Sequence, residues 1–317
     1  MPPTNAVNQT QASRPDPYPP PPLSAPPLVS VIFPARDEGA NVATTLASLA
    51  TAEVDVPFEA IVVDDGSQDG CCHLTRAFPY PLSIVRTRGL GAPQARNLGA
   101  RLAKGRYYVF CDAHLDFPPH WLDALVEPLA QAAATGGDLG AVSPGLGVPG
   151  DPRRAGFGQT WNDRLEVTWL KPPKGITEVP LLPGGCMAFR AEVFRDIGGF
   201  DHAFQTWGHE DEEISIKLWL FGHNAAVVPE TVVGHLFRQR HPYRVTLWDA
   251  QYNQVRMAVS HFNEVRVGKV IALLQKYSYW QQLVEISRRA AQGQREDFFA
   301  RRRRSDDWFM ERFGIPF

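Results

Sequence analysis

Cysteine is scarce in this chain: four in 317 residues, at positions 71, 72, 111 and 186, two of them adjacent and none spaced as CxxC. That spacing excludes a thiolate zinc site and a disulfide framework, and it points to a reducing compartment. Long apolar runs are missing too. None approaches the ~20 residues that cross a bilayer. The N-terminus has no charged-then-apolar leader pattern. The expectation is a soluble, cytoplasmic protein without an integral membrane segment. Nor is there an excess of charge of one sign: 32 Lys and Arg oppose 34 Asp and Glu, for a net charge of −2. Nucleic-acid binders carry a basic excess, so no such partner is expected. The one basic run, Arg301 to Arg304, reads as a solvated helix face rather than as a contact to phosphate or a membrane surface.

What is present is organised in three parts. Residues 1–27 are rich in proline, as in "PDPYPPPPLSAPP". Such a segment builds no core and is expected to be a disordered or polyproline arm. From Leu28 on, short apolar runs alternate with helical patterns. "LVSVIFPARDEGAN" is a strand and a polar turn, followed by a helix from about Asn41 with Val42, Leu46 and Leu49 at helical spacing. "FEAIVVDDGSQDG" repeats the strand and turn, and "PLSIVRT" is a third strand. "GAPQARNLGARLAKG" is a helix with proline in its first turn, and "RYYVFCDAHLDF" is a fourth strand. This alternation predicts an α/β fold with a mainly parallel sheet flanked by helices. The division expected is 28–245 for this domain and 246–317 for a helical extension packed on it.

In an open parallel sheet, ligands bind beyond the carboxyl ends of the strands. Three strand ends here carry acids: Asp37 and Glu38, Asp64 and Asp65, and Asp112. Asp112 and His114 are two apart, so in extended backbone they face one side and can grip one ion. A carboxylate with an imidazole suits manganese or another first-row divalent metal better than calcium. Asp64 and Asp65 can accept hydrogen bonds from a nucleoside, although Asp and Gly also serve plain turns. Further on, "TWGHEDEEISIKLWLFGHN" opens a helix with Glu210, Asp211, Glu212 and Glu213 in its first turn. Acids there complement the helix dipole. Four exceed what capping needs, so at least one is a candidate for a substrate hydroxyl. "VGHLFRQRHPYR" then offers His235 as a third metal ligand, with Arg238 and Tyr243 for phosphate oxygens.

These segments resemble a known family. "VSVIFPARDE", "VVDDGSQD" and "DAH", in that order, resemble the GT-A fold of nucleotide-sugar glycosyltransferases. "LLPGGCMAFRAEVFRDIGGFDHAFQTWGHEDEEISIKLWLFG" and "VGHLFRQRHPY" are similar to the catalytic domain of the polypeptide N-acetylgalactosaminyltransferases, as are "NDRLEVTW" and "SDDWFMERFGIP". The resemblance implies that Asp112, His114 and His235 bind manganese, which holds the diphosphate of a UDP-sugar. It places Asp64, Asp65, Arg96 and the turn with Pro34, Arg36 and Glu38 at the nucleotide. Arg238 and Tyr243 would contact phosphate, and Trp207 and Glu210 would flank sugar and acceptor. Gly184 and Gly185 would let the backbone approach the donor sugar. The donor sugar would be GalNAc, GlcNAc or a hexose, and the acceptor a Ser or Thr hydroxyl of a peptide or protein.

Two departures bear on the mechanism. Members of that family carry a membrane anchor and usually a lectin domain, and this chain is expected to have neither. Asp211 stands where that family has Asn. Inverting GT-A enzymes with a related Glu-Asp pair use the Asp as general base. The length of the match implies a retaining transferase, which is the first reading. The alternative is an inverting enzyme with Asp211 as base, acting on a glycan, a lipid or a small molecule. A non-catalytic binding protein would have no reason to keep Asp112, His114, Glu210 and His235 together. A nucleotidyltransferase would need a Gly-rich triphosphate loop, and "PARDEGAN" has one glycine.

Overall fold

The structure is a computed structural model that describes residues 26–238 and 240–317. The proline-rich arm, up to residue 25, lies outside the described residues. The first half of the chain runs β1 (Val29–Ala35), α1 (Asn41–Thr51), β2 (Phe58–Asp64), β3 (Leu82–Arg86), α2 (Ala92–Leu102), β4 (Tyr107–Cys111), β5 (Leu115–Asp116), α3 (Trp121–Thr135) and β6 (Leu139–Val148). Short strands follow: β7 (Asp151–Gly156), β8 (Gln159–Trp161), β9 (Val167–Trp169), β10 (Thr177–Glu178) and β11 (Cys186–Arg190). The chain then forms α4 (Ala191–Asp196), α5 (Glu210–Leu220) and β12 (Asn224–His235). Four helices complete it: α6 (Leu247–His261), α7 (Glu264–Leu274), α8 (Trp280–Arg301) and α9 (Asp306–Phe313).

The four strands predicted from the sequence form the parallel half of a ten-stranded sheet, ordered β10-β12-β6-β11-β4-β1-β2-β3. Strand β11 runs antiparallel to both β4 and β6, so the sheet as a whole is mixed. Each central strand feeds two cores, because successive side chains point to opposite faces. Val29, Val31 and Phe33 pack with α1 and α3 residues such as Leu46 and Leu125. Ile32, Ile61 and Phe110 face the other way, towards Phe194, Ile214, Val255 and Phe309. Burial on both faces is why these strands read as unbroken apolar runs.

Arg301 to Arg304 form a solvated face only in part: Arg301 and Arg303 are exposed, while Arg302 and Arg304 are half-buried. Helix α8 ends at Arg301. The amides of Arg303 and Arg304 donate to the Leu220 carbonyl at 2.8 and 3.0 Å. The Arg304 guanidinium lies 4.6 Å from the Trp308 ring centroid. The run therefore ties the C-terminal helices to the end of α5. Cation–π contacts hold the half-buried Arg302 and Arg304 against Phe299 and Trp308, where charge alone suggested solvent.

Candidate active site

The carboxyl ends of β1, β2 and β4 open on one cleft, as the sheet rule requires. One compartment is lined by Pro34, Arg36, Glu38, Asp65, Arg96, Asp112, His114, Trp207, His235, Arg238 and Tyr243, among others. A second compartment adjoins it through Arg96, Asp112, Trp207 and His235, and adds Gly184, Gly185, Glu210 and Asp211. Of the candidates named from the sequence, Asp37 and Glu213 line neither, and nor does Asp64. It is buried, accepting from the Ser67 amide at 2.9 Å and pairing with Arg86 at 3.4 Å. Asp64 thus shapes the turn after β2.

Asp112 follows β4 directly, and its amide donates to the Gly185 carbonyl on β11 at 2.9 Å. That bond fixes the carboxylate at the strand end. His114 comes two residues later, and His235 ends β12, which pairs with β5 at Leu115. One ligand atom each from Asp112, His114 and His235 lies within 4.8 Å of the others. Asp112 Oδ2 is 3.2 Å from His235 Nε2 and 3.8 Å from His114 Nε2. Burial alone would raise the Asp112 carboxyl. The His235 hydrogen bond and the charges of His114 and Arg96 outweigh it, and hold the group well below the carboxylate range. A permanently ionised carboxylate with two imidazoles is a donor set for a first-row divalent ion.

Arg96, on α2, links this trio to α5. Its side chain is 3% exposed, and it donates to Asp112 Oδ1 and Glu210 Oε1, each at 3.0 Å. Glu210 also accepts from the Gly208 amide at 2.7 Å. Asp211, next in the chain, accepts from the Gly184 amide at 3.1 Å. Burial, with Glu210 and Glu212 beside it, pushes the Asp211 carboxyl up to about 7. The other acids of that turn serve the fold: Glu212 accepts from the Trp161 indole, and Glu213 holds Lys217 and His261 at 3.1 and 2.8 Å.

The two glycines make room for side chains of the site itself. A Cβ at Gly185 would come 2.8 Å from His235 Cδ2, and one at Gly184 would come 3.2 Å from Asp211. In the first compartment, Asp65 Oδ2 accepts from the Gly91 amide at 2.8 Å, so it also organises the 87–91 loop. Glu38 accepts from both guanidinium nitrogens of Arg238, one at 3.0 Å, and lies 3.3 Å from His114 Nδ1. Burial would raise the Glu38 carboxyl, but these partners keep it below its ordinary value. The Arg36 guanidinium stacks 5.2 Å from the Tyr243 ring.

The sequence pattern assigned no role to His241, whose ring lies 4.3 Å from that of Trp207. Nor did it assign one to Val167, Trp169 and Phe237, which wall the second compartment. The Trp169 and Phe237 rings meet edge-on at 6.1 Å. No local pattern marks them, since β9 is three residues long and β12 ends two residues before Phe237.

A mixed sheet with helices on both faces and an acid-and-imidazole cluster at the strand ends defines a GT-A glycosyltransferase fold. The structure of GalNAc-T7 with UDP, GalNAc and Mn²⁺ shares that fold, with a TM-score of 0.69 at 22% identity over 92% of this chain and 57% of the other. So does a mannosyltransferase from Pyrobaculum calidifontis in complex with GDP-Man and Mn²⁺, with a TM-score of 0.51 at 21% identity over 87% of this chain and 75% of that one. Residues 30–198 match Glycosyl transferase family 2, and residues 170–242 match the N-terminal domain of galactosyltransferase. The chain belongs to glycosyl transferase family 2. Among curated relatives, it is 32% identical to the putative polypeptide N-acetylgalactosaminyltransferase 13 of Drosophila melanogaster, over 71% of this chain and 44% of that protein. It is 29% identical to the human polypeptide N-acetylgalactosaminyltransferase 10, over 69% of this chain and 39% of that protein. The chain thus spans less than half the length of these relatives.

Proposed function

We propose that this protein transfers a sugar, GalNAc in the first instance, from a UDP-sugar to a hydroxyl of a peptide or protein acceptor. The observation that carries the reading is the meeting of Asp112, His114 and His235 within 4.8 Å at the junction of the two compartments. Asp112, His114 and His235 would hold a divalent ion such as manganese. When bound, it would act as a Lewis acid and neutralise charge gathering on the departing diphosphate. The nucleotide would lie along Asp65, Arg36 and the turn after β1. Arg238 and Tyr243 would supply donors to phosphate oxygens once Arg238 leaves Glu38. The acceptor would enter between Trp169, Phe237 and Trp207 and present its hydroxyl beside Glu210 and Asp211. The names of the curated relatives support the sugar and acceptor classes. The four cysteines are buried thiols, a chemistry suited to a reducing compartment, and we place the protein in the cytoplasm.

The test is UDP release from a panel of UDP-sugars with Mn²⁺, with and without EDTA. Slow hydrolysis of one donor, lost with EDTA, supports the reading. An absence of both turnover and UDP binding sinks it.

A second reading rests on Asp211. A carboxyl pushed up to about 7 at the mouth of the cleft is poised as a general base. Transfer would then invert the anomeric centre. Asp211→Asn separates the two. Under retention, turnover changes by less than about fivefold, since the amide still occupies the site. Under inversion, turnover falls about 100-fold or more. The wild-type rate would then climb with pH through about 7, because only the ionised carboxylate accepts the proton. The anomeric configuration of the product gives an independent answer.

A further inference from the structure

The loop before α5 carries Trp207, which is 40% exposed and borders both compartments. Its backbone is strained. Thr206 has φ 25°, His209 has φ 62°, and Gly208 between them has φ 108°. Non-glycine residues hold such angles only where their surroundings leave no alternative. One restraint comes from α2, whose Ala92 amide donates to the Thr206 carbonyl at 2.9 Å.

The stronger restraint comes from α6, in the C-terminal helical part of the chain. Asn253 is 0% exposed there. Its Oδ1 accepts from the Gln205 amide at 2.7 Å. Its Nδ2 donates to the carbonyls of Gln205 and Gly208, both at 2.9 Å, and of Trp207 at 3.3 Å. One side chain thus serves four backbone groups on either side of Trp207. One turn on, Arg256 Nε lies 2.9 Å from both carboxylate oxygens of Asp201, at the start of the same loop. A Cβ at Gly208 would come 3.4 Å from that of Ala250 on α6. The Gly208 amide in turn donates to Glu210, which Arg96 joins to Asp112.

We infer that Asn253 is a positioning residue for the transfer step. It locks the 205–208 backbone, and through it the placement of Trp207, Glu210 and Asp211 against the metal-ligand trio. The residue touches neither compartment, so its effect passes wholly through the loop. A misplacement of about 1 Å in such a group lowers turnover by about 100-fold. Most of the first compartment is built from other elements, with Thr206 and Trp207 as this loop's share of its lining, so donor binding is expected to change less than turnover. The inference rests on the transferase reading for its kinetic consequence, but not for its structural one.

The experiment compares wild type with Asn253→Ala, Asn253→Asp and Val255→Ala. Val255 is 0% exposed on the same helix and packs in the core, so its truncation reports a purely structural loss. Asn253→Asp keeps the volume but turns a carboxylate oxygen towards three carbonyls. Both Asn253 variants are expected to lose about 100-fold in kcat, with donor KM within about threefold of wild type. Val255→Ala, at a similar loss of thermal stability, is expected to keep kcat within about threefold. Hydrogen exchange at residues 205–210 is expected to quicken at least tenfold in the Asn253 variants and not in Val255→Ala. Equal kcat losses at matched stability, or unchanged exchange in this loop, overturn the inference. If the wild type turns over no UDP-sugar, the transferase reading fails by itself, and the exchange comparison decides the role of Asn253.

Discussion

Asp112→Ala is expected to remove metal-dependent turnover while leaving the fold intact. The carboxylate is one of three side chains converging within 4.8 Å, and its partners hold it permanently ionised. A bound divalent ion contributes several kcal/mol to a transition state that carries growing charge, and each ~1.4 kcal/mol is a factor of ten. A loss of roughly 1000-fold in kcat/KM follows. The fold should survive, because the Asp112 side chain keeps some solvent contact and Arg96 retains Glu210 as a partner. The readouts are UDP release, Mn²⁺ binding by calorimetry, and a circular dichroism spectrum. Full activity or unchanged Mn²⁺ affinity in the variant refutes the metal assignment.

Arg96→Met is expected to combine a stability loss with a functional one. The guanidinium is 3% exposed and compensates two carboxylates, Glu210 and Asp112, each at 3.0 Å. Removing one partner of a buried pair leaves charge without compensation, at a cost of about 3–5 kcal/mol. Methionine fills most of the volume, so the loss reports charge rather than a cavity. The Asp211 carboxyl is raised in spite of Arg96, whose charge pulls it down. Without that guanidinium, Asp211 should ionise at still higher pH. The urea midpoint of the variant measures the first effect, and its pH–rate profile the second. A midpoint close to wild type would mean that solvent reaches and neutralises the pair.

Much of the parallel half was legible because its local signals agree. Apolar strand runs, Pro93 at the start of α2 and helical spacing in α1 all point one way, so α1 begins at Asn41 as read. The antiparallel insertion of β11 was not legible. The run 186–190 looks like any buried strand, and its direction is set by pairing with β4 and β6, far away in sequence. In the site, Asp112 and His114 were readable from their spacing within one segment. The link from Arg96 to Glu210 spans 114 positions and leaves no trace in either neighbourhood. The acids of α5 show the same limit. Four consecutive carboxylates look alike in sequence, yet Glu213 is locked into a pair with Lys217 while Asp211 faces the cleft.

The sequence by itself determined the class of fold, the acids at the strand ends and the aspartate that follows Glu210, because each depends on residues close in the chain. Only the tertiary structure decided which carboxylates share a cleft, which serve the framework, and that α6 holds the loop bearing Trp207. Those outcomes depend on burial and on partners brought together across the sheet, and a side chain's ionisation and reach follow from its neighbours in space.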